Sequence, residues 1–158
     1  MKTFFLILAL SATTWLSTHI ARADSNTTPA EVIVVLANES PGKIDPKLKA
    51  MPALRRPPFN AFRSMEILSM KKLQLVEEKD ETIDLPNGRR LKLTLMKKMQ
   101  DGRYRAKVSI NRPEKHDYLP LLQVLASPGD PFFVAGQEHR GGTLVVGVRV
   151  GTDAKPEK

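Results

Sequence analysis

The chain has 158 residues, 25 Lys and Arg against 17 Asp and Glu, a formal net charge of +8 and no cysteine. That length suits one domain that can bury a core without covalent staples. The missing thiols exclude disulfides, a lipid-anchoring cysteine at an export cleavage site and any thiol nucleophile, while the basic balance points to anionic partners rather than to a fold.

At the amino terminus Lys2 supplies a positive charge, Phe4 to Leu10 is an unbroken apolar stretch, and Ala21-Arg22-Ala23 has the small-x-small pattern of a signal peptidase site. This order predicts a cleaved secretory signal peptide over residues 1–23 and an exported product, periplasmic or extracellular. The competing reading is an uncleaved anchor. The apolar stretch falls short of the about 20 residues a spanning helix needs, and no second stretch is long enough. Removing the peptide takes Lys2 and Arg22 with it, leaving 135 residues, 23 cations and 17 acids, a net +6. A cysteine-free exported domain favours a bacterial source. Asn26-Thr27-Thr28 and Asn38-Glu39-Ser40 match the glycosylation acceptor pattern, which matters only in a eukaryotic secretory route.

A polar leader is expected over 24–30, a single β-rich domain over 31–151 and a disordered tail over 152–158. Val32-Ile33-Val34-Val35-Leu36-Ala37 is short, β-branched and without alternation, which predicts a strand buried on both faces. Ser40-Pro41-Gly42 breaks it. Asp45-Pro46 then supplies an N-cap and a proline at the first helical position, and Ile44, Leu48, Met51 and Leu54 recur at helical spacing. Pro52 should kink or shorten this helix, which ends before Pro57-Pro58. Strands are expected over 62–68, 71–76, 82–85, 121–126, 131–135 and 143–150, with turns at Pro86-Asn87-Gly88 and Arg140-Gly141-Gly142.

The segment 90–110 predicts a hairpin about Asp101-Gly102, read as a two-residue loop that pairs Lys98 with Arg105 and Leu95 with Val108. Leu91, Leu93, Leu95, Met99, Tyr104, Ala106, Val108 and Ile110 then share one face, with Lys97 as its misfit. The other face carries Arg90, Lys92, Lys98, Arg105 and Lys107 with no acid between them. Like charges opposite one another cost up to about 1 kcal/mol, so an unmixed face suggests an anionic partner: an acidic glycan, a lipid surface or an acidic protein. The plainer alternative is a solvated face whose acids, such as Glu77, Glu78 and Glu81, lie on a neighbouring strand. The only aromatic of the hairpin, Tyr104, falls on the apolar face, so no stacking platform for nucleic acid is expected.

Catalytic patterns are missing: no G-x-S-x-G, no H-E-x-x-H, no phosphate loop and no dinucleotide fingerprint among the glycines. His116 beside Asp117 and His139 beside Glu138 are the two histidines downstream of the expected cleavage site. Each is a candidate acid–base group or metal ligand only if the fold brings partners to it, and Asp130 has no spacing to recommend it.

Tyr118-Leu119-Pro120-Leu121-Leu122, Phe132-Phe133-Val134-Ala135-Gly136-Gln137 and Gly141-Gly142-Thr143-Leu144-Val145-Val146-Gly147, with Ile44-Asp45-Pro46 and Leu85-Pro86-Asn87-Gly88-Arg89, resemble a family of short exported bacterial proteins without assigned function. The resemblance covers most of the chain after residue 23. Its motifs are turns and strands, so it implies a bacterial source and transfers no active site.

The resulting expectation is an α+β domain, mostly antiparallel sheet, arranged as a sandwich or a partly open barrel with one short helix after the first strand. The expected function is a non-enzymatic accessory or binding protein of the cell envelope or exterior, without metal or cofactor. A small hydrolase or metal-dependent enzyme using His116 or His139, and a structural subunit of an envelope assembly, are the alternatives.

Overall fold

The computed structural model describes residues 27–113 and 117–151. The expected signal peptide, His116 and the expected tail lie outside the described residues. Eight strands follow in chain order: β1 (Thr27–Asn38), β2 (Ser64–Val76), β3 (Asp80–Asp84), β4 (Arg90–Lys98), β5 (Tyr104–Asn111), β6 (Tyr118–Ala126), β7 (Phe132–His139) and β8 (Gly142–Val150). They form two four-stranded antiparallel sheets, β2-β1-β8-β7 and β3-β4-β5-β6, called here sheets A and B. The chain passes between sheets from β2 to β3 and from β6 to β7, and β8 returns to pair with β1. The sheets stay open there, so no closed barrel forms.

The alternation of side chains along each strand builds the layers. Val32 and Val34 of β1 and Val146 and Val148 of β8 share one buried core with Leu91, Leu93 and Leu95 of β4 and with Ala106, Val108 and Ile110 of β5. The intervening residues Ile33, Val35 and Ala37 of β1 point the other way and pack against Leu48, Met51 and Leu54, with Phe59 and Phe62 beside them. Sheet A is therefore covered on both faces, and the unbroken apolar run of β1 is the consequence.

The covering segment starts where the Asp45 carboxylate accepts the amide of Lys47 at 2.9 Å and Pro46 opens helix α1 (Pro46–Lys49). Pro52 has no amide to continue an α-helix, and the chain resumes as two 3-10 turns, Pro52–Arg55 and Phe59–Ala61. One short helix after the first strand is thus present, cut where the proline demands.

Several strand boundaries differ from the sequence expectation: β3 begins at Asp80, β6 begins at Tyr118 and β7 runs on to His139, and two further differences reshape sheet A. Thr27–Ala30, within the expected leader, pairs with Leu73–Val76 as the start of β1. The strands expected over 62–68 and 71–76 are one strand, β2, carried past a register shift opposite Val34 and Val35. A bulge lets one strand absorb the break in alternation that the sequence presents as a gap between two.

Candidate anionic-partner interface

The outer face of sheet B has no cover among the described residues, and the β4–β5 hairpin forms its centre. Its loop is Gln100-Asp101-Gly102 rather than Asp101-Gly102: the Met99 amide donates to the Arg103 carbonyl at 2.8 Å, and the Gly102 amide to the Met99 carbonyl at 3.0 Å. Gly102 sits at φ 83°, and the Asp101 carboxylate accepts the Arg103 amide at 3.1 Å. The β3–β4 loop repeats this design, with Gly88 at φ 78° and the Asn87 side chain accepting the Arg89 amide at 3.2 Å. A left-handed glycine after an Asx residue closes a three-residue loop, and this moves the register from the one expected.

A second shift follows. The pairing runs Lys98–Tyr104 and Lys97–Arg105, then Leu95–Ala106, Leu93–Val108 and Leu91–Ile110, so Met96 is the extra residue of a bulge. Together the loop and the bulge displace the partners by two positions, which preserves side-chain parity. Seven of the eight residues expected on the apolar face, Leu91, Leu93, Leu95, Tyr104, Ala106, Val108 and Ile110, are buried, whereas Met99, at the loop beyond the bulge and bonded to Arg103, is only half-buried. Beyond the bulge, however, parity inverts. Lys97, expected as a misfit on the apolar face, stands on the outer face opposite Arg105. Lys98, expected on the outer face opposite Arg105, stands opposite Tyr104 with its ammonium 5.8 Å from that ring.

The remaining cations divide into two groups. Lys92 is internally satisfied: its ammonium lies 2.9 Å from one Asp80 carboxylate oxygen and 4.2 Å from the centre of the Tyr118 ring. The other Asp80 oxygen accepts the Thr94 hydroxyl at 2.6 Å. The Thr94 hydrogen bond first, and then the Lys92 ammonium, hold the Asp80 carboxyl below its ordinary range, with Lys107 adding a weaker pull. Arg90 stands opposite Asp84 on β3. Among the acids of β3, Asp80 and Asp84 meet this face. Glu81 stands opposite buried Leu93, the Glu78 amide donates to the Leu95 carbonyl at 2.7 Å, and a Glu77 carboxylate oxygen accepts the Lys98 amide at 2.7 Å.

Lys97 and Arg105 lie beyond the tip-ward end of β3, while Lys107 shares a row with Thr94 and Asp80 and is drawn only weakly to that carboxylate; none of the three is in an ion pair among the described residues. β6 borders them with apolar residues. Arg105 pairs with Leu125 and Lys107 with Gln123. A second bulge seats both Pro120 and Leu121 opposite Ser109. Met96, Leu121 and Leu125 are exposed at 37%, 40% and 38%, large apolar side chains flanking the free cations. Neither bulge has a signature in the sequence, so this mixed patch escapes a strand-by-strand reading.

His139 ends β7 and lines an open cleft of about 560 Å³ with Asn38, Glu39, Glu138 and Arg140. Among the described residues no group of three or more His, Asp or Glu side chains is placed to hold a metal ion. Comparison of the chain with protein-family models, with curated proteins and with solved structures returned no match.

The Asp80 cluster carries its own test. A carboxyl whose folded pKa is depressed contributes stability above its unfolded pKa and loses it as pH falls through the folded one. Asp80→Asn should cost about 0.5–1 kcal/mol at neutral pH, the discounted worth of an exposed pair plus one hydrogen bond. It should cost nothing further once acid has protonated the wild-type carboxyl. Urea unfolding of both proteins at neutral and acidic pH checks this; equal costs at both would detach the cluster from the stability of the sheet.

Proposed function

We propose that the chain is an exported, non-enzymatic binding protein of the cell envelope or exterior, and that it docks an anionic lipid surface against the outer face of sheet B. The observation that carries this is the juxtaposition of Lys97, Arg105 and Lys107, none in an ion pair among the described residues, with exposed Met96, Leu121 and Leu125. Each cation near an anionic leaflet is worth about 1 kcal/mol. Apolar side chains among the cations favour a bilayer over an acidic glycan or protein, because they can enter the headgroup boundary while the cations meet phosphate. Of the five cations expected on this face, Arg105 and Lys107 carry the binding, Lys92 is held by Asp80, Arg90 stands opposite Asp84, and Lys97 acts in place of Lys98.

The same reading takes the two sheets with their helical cover as an α+β sandwich, a rigid scaffold that presents this face. Export rests on the order of charge, apolar stretch and small-residue site in residues 1–23. The test is sedimentation with vesicles. The protein should pellet with vesicles containing phosphatidylglycerol, remain in solution with pure phosphatidylcholine, and be released as salt shortens the Debye length from about 10 Å at 0.1 M towards about 3 Å at 1 M. Equal partition onto both lipids would refute the docking.

A further inference from the structure

The cover of sheet A presents a second basic layer on the opposite side of the molecule. Residues 43–63 carry Lys43, Lys47, Lys49, Arg55, Arg56 and Arg63 against the single acid Asp45. All six cations are exposed, and none is in an ion pair among the described residues, whose salt bridges all lie elsewhere. The Arg55 guanidinium is spent on the Lys49 carbonyl, and Asp45 caps helix α1. The side chains of Arg56 and Arg63 make no hydrogen bond among the described residues. The segment needs its apolar residues to cover Ile33 and Val35, but nothing in that packing calls for six cations on the outside.

The orientation is set by β1. Val32 and Val34 face sheet B, and Ile33 and Val35 face the cover, so the two basic layers look in opposite directions. Facing sheets stand about 10 Å apart and the cover adds a comparable layer, so the two charge layers are separated by about 20 Å. That exceeds the Debye length of about 8 Å at physiological ionic strength. The charges of one layer are therefore only weakly felt by the other.

We infer that the protein is two-sided and bridges two anionic lipid surfaces, one on the outer face of sheet B and one on the cover of sheet A. This rests on the docking reading for the first surface and adds the second. Bridging requires both faces at once, because a single-faced binder coats a vesicle without joining it to another.

The experiment measures clustering of phosphatidylglycerol vesicles by turbidity and light scattering, alongside sedimentation at low vesicle concentration. Wild-type protein should pellet with vesicles and cluster them. The variant Arg56→Glu with Arg63→Glu, checked for an unchanged thermal transition, should still pellet to within about twofold through sheet B yet cluster at least roughly tenfold less. Lys43→Glu with Lys47→Glu serves as an independent pair should the first variant fail to fold. Wild-type protein that pellets without clustering would overturn the inference and leave the docking reading standing. Clustering that survives reversal of the cover would also overturn it, since self-association through one face would then be the cause. Wild-type protein that does not pellet at all would sink the docking reading and this inference with it.

Discussion

Leu93→Ala should lower the stability of the chain by about 2–5 kcal/mol, a large part of the 5–15 kcal/mol that holds a typical domain folded. Leu93 is fully buried at the centre of β4, opposite Val108, in the core shared by both sheets. Truncation removes its transfer free energy and leaves a cavity between two layers whose strands are hydrogen-bonded on both sides and cannot collapse to fill it. Leu125→Ala is the comparison. That side chain points outward from edge strand β6, is 38% exposed, and should cost less than about 1 kcal/mol. Urea unfolding of the two variants reads the difference as a shift in midpoint at unchanged slope. Similar costs for the two would mean that the inner and outer faces of sheet B have been assigned the wrong way round.

The layers were legible where a pattern of apolar residues has one physical explanation. The run Val32 to Ala37 lacks alternation because both its faces are covered, and the structure shows which layers cover them. Leu48, Met51 and Leu54 recur at helical spacing because they face β1 together, and Pro52 divides them between a helix and a 3-10 turn. In the β4–β5 hairpin the inward set apart from Met99 survives a wrong register, because on the far side of the bulge from the loop the true register differs by two residues and parity has a period of two.

The candidate site was legible only in part, because it depends on single residues that break the period. Met96 has no sequence feature that marks it as a bulge, yet it exchanges Lys97 and Lys98 between the two faces. Asp80 lay outside the expected strand, since aspartate is a poor strand former. It joins β3 because its carboxylate meets Lys92 and Thr94 on the neighbouring strand, a contact between residues far apart in the chain. The bulge that places Leu121 on the cationic face is equally long-range, being defined only by which residue of β5 lies opposite. Like charges concentrated along one segment suggested a partner; which charges remain unpaired is a property of four strands together.

Reversing Lys97 and Arg105 should produce the largest functional effect. The two face one another across the β4–β5 pair and repel, by up to about 1 kcal/mol, when no anion lies between them. An anionic surface relieves that repulsion and adds about 1 kcal/mol for each cation. Replacing both with glutamate removes two attractions and introduces two repulsions, a change of about 4 kcal/mol, or roughly a thousandfold in partition at low salt. Both side chains are exposed and lie outside the core, so the thermal transition should hardly move. The deciding measurement is therefore sedimentation of Lys97→Glu with Arg105→Glu against wild type on phosphatidylglycerol vesicles at low salt. To keep the second basic layer from masking the loss, the same comparison is made in the Arg56→Glu, Arg63→Glu background. Wild type should pellet, and reversal on sheet B in that background should leave the folded protein in solution. Undiminished pelleting of the folded variant would contradict the docking.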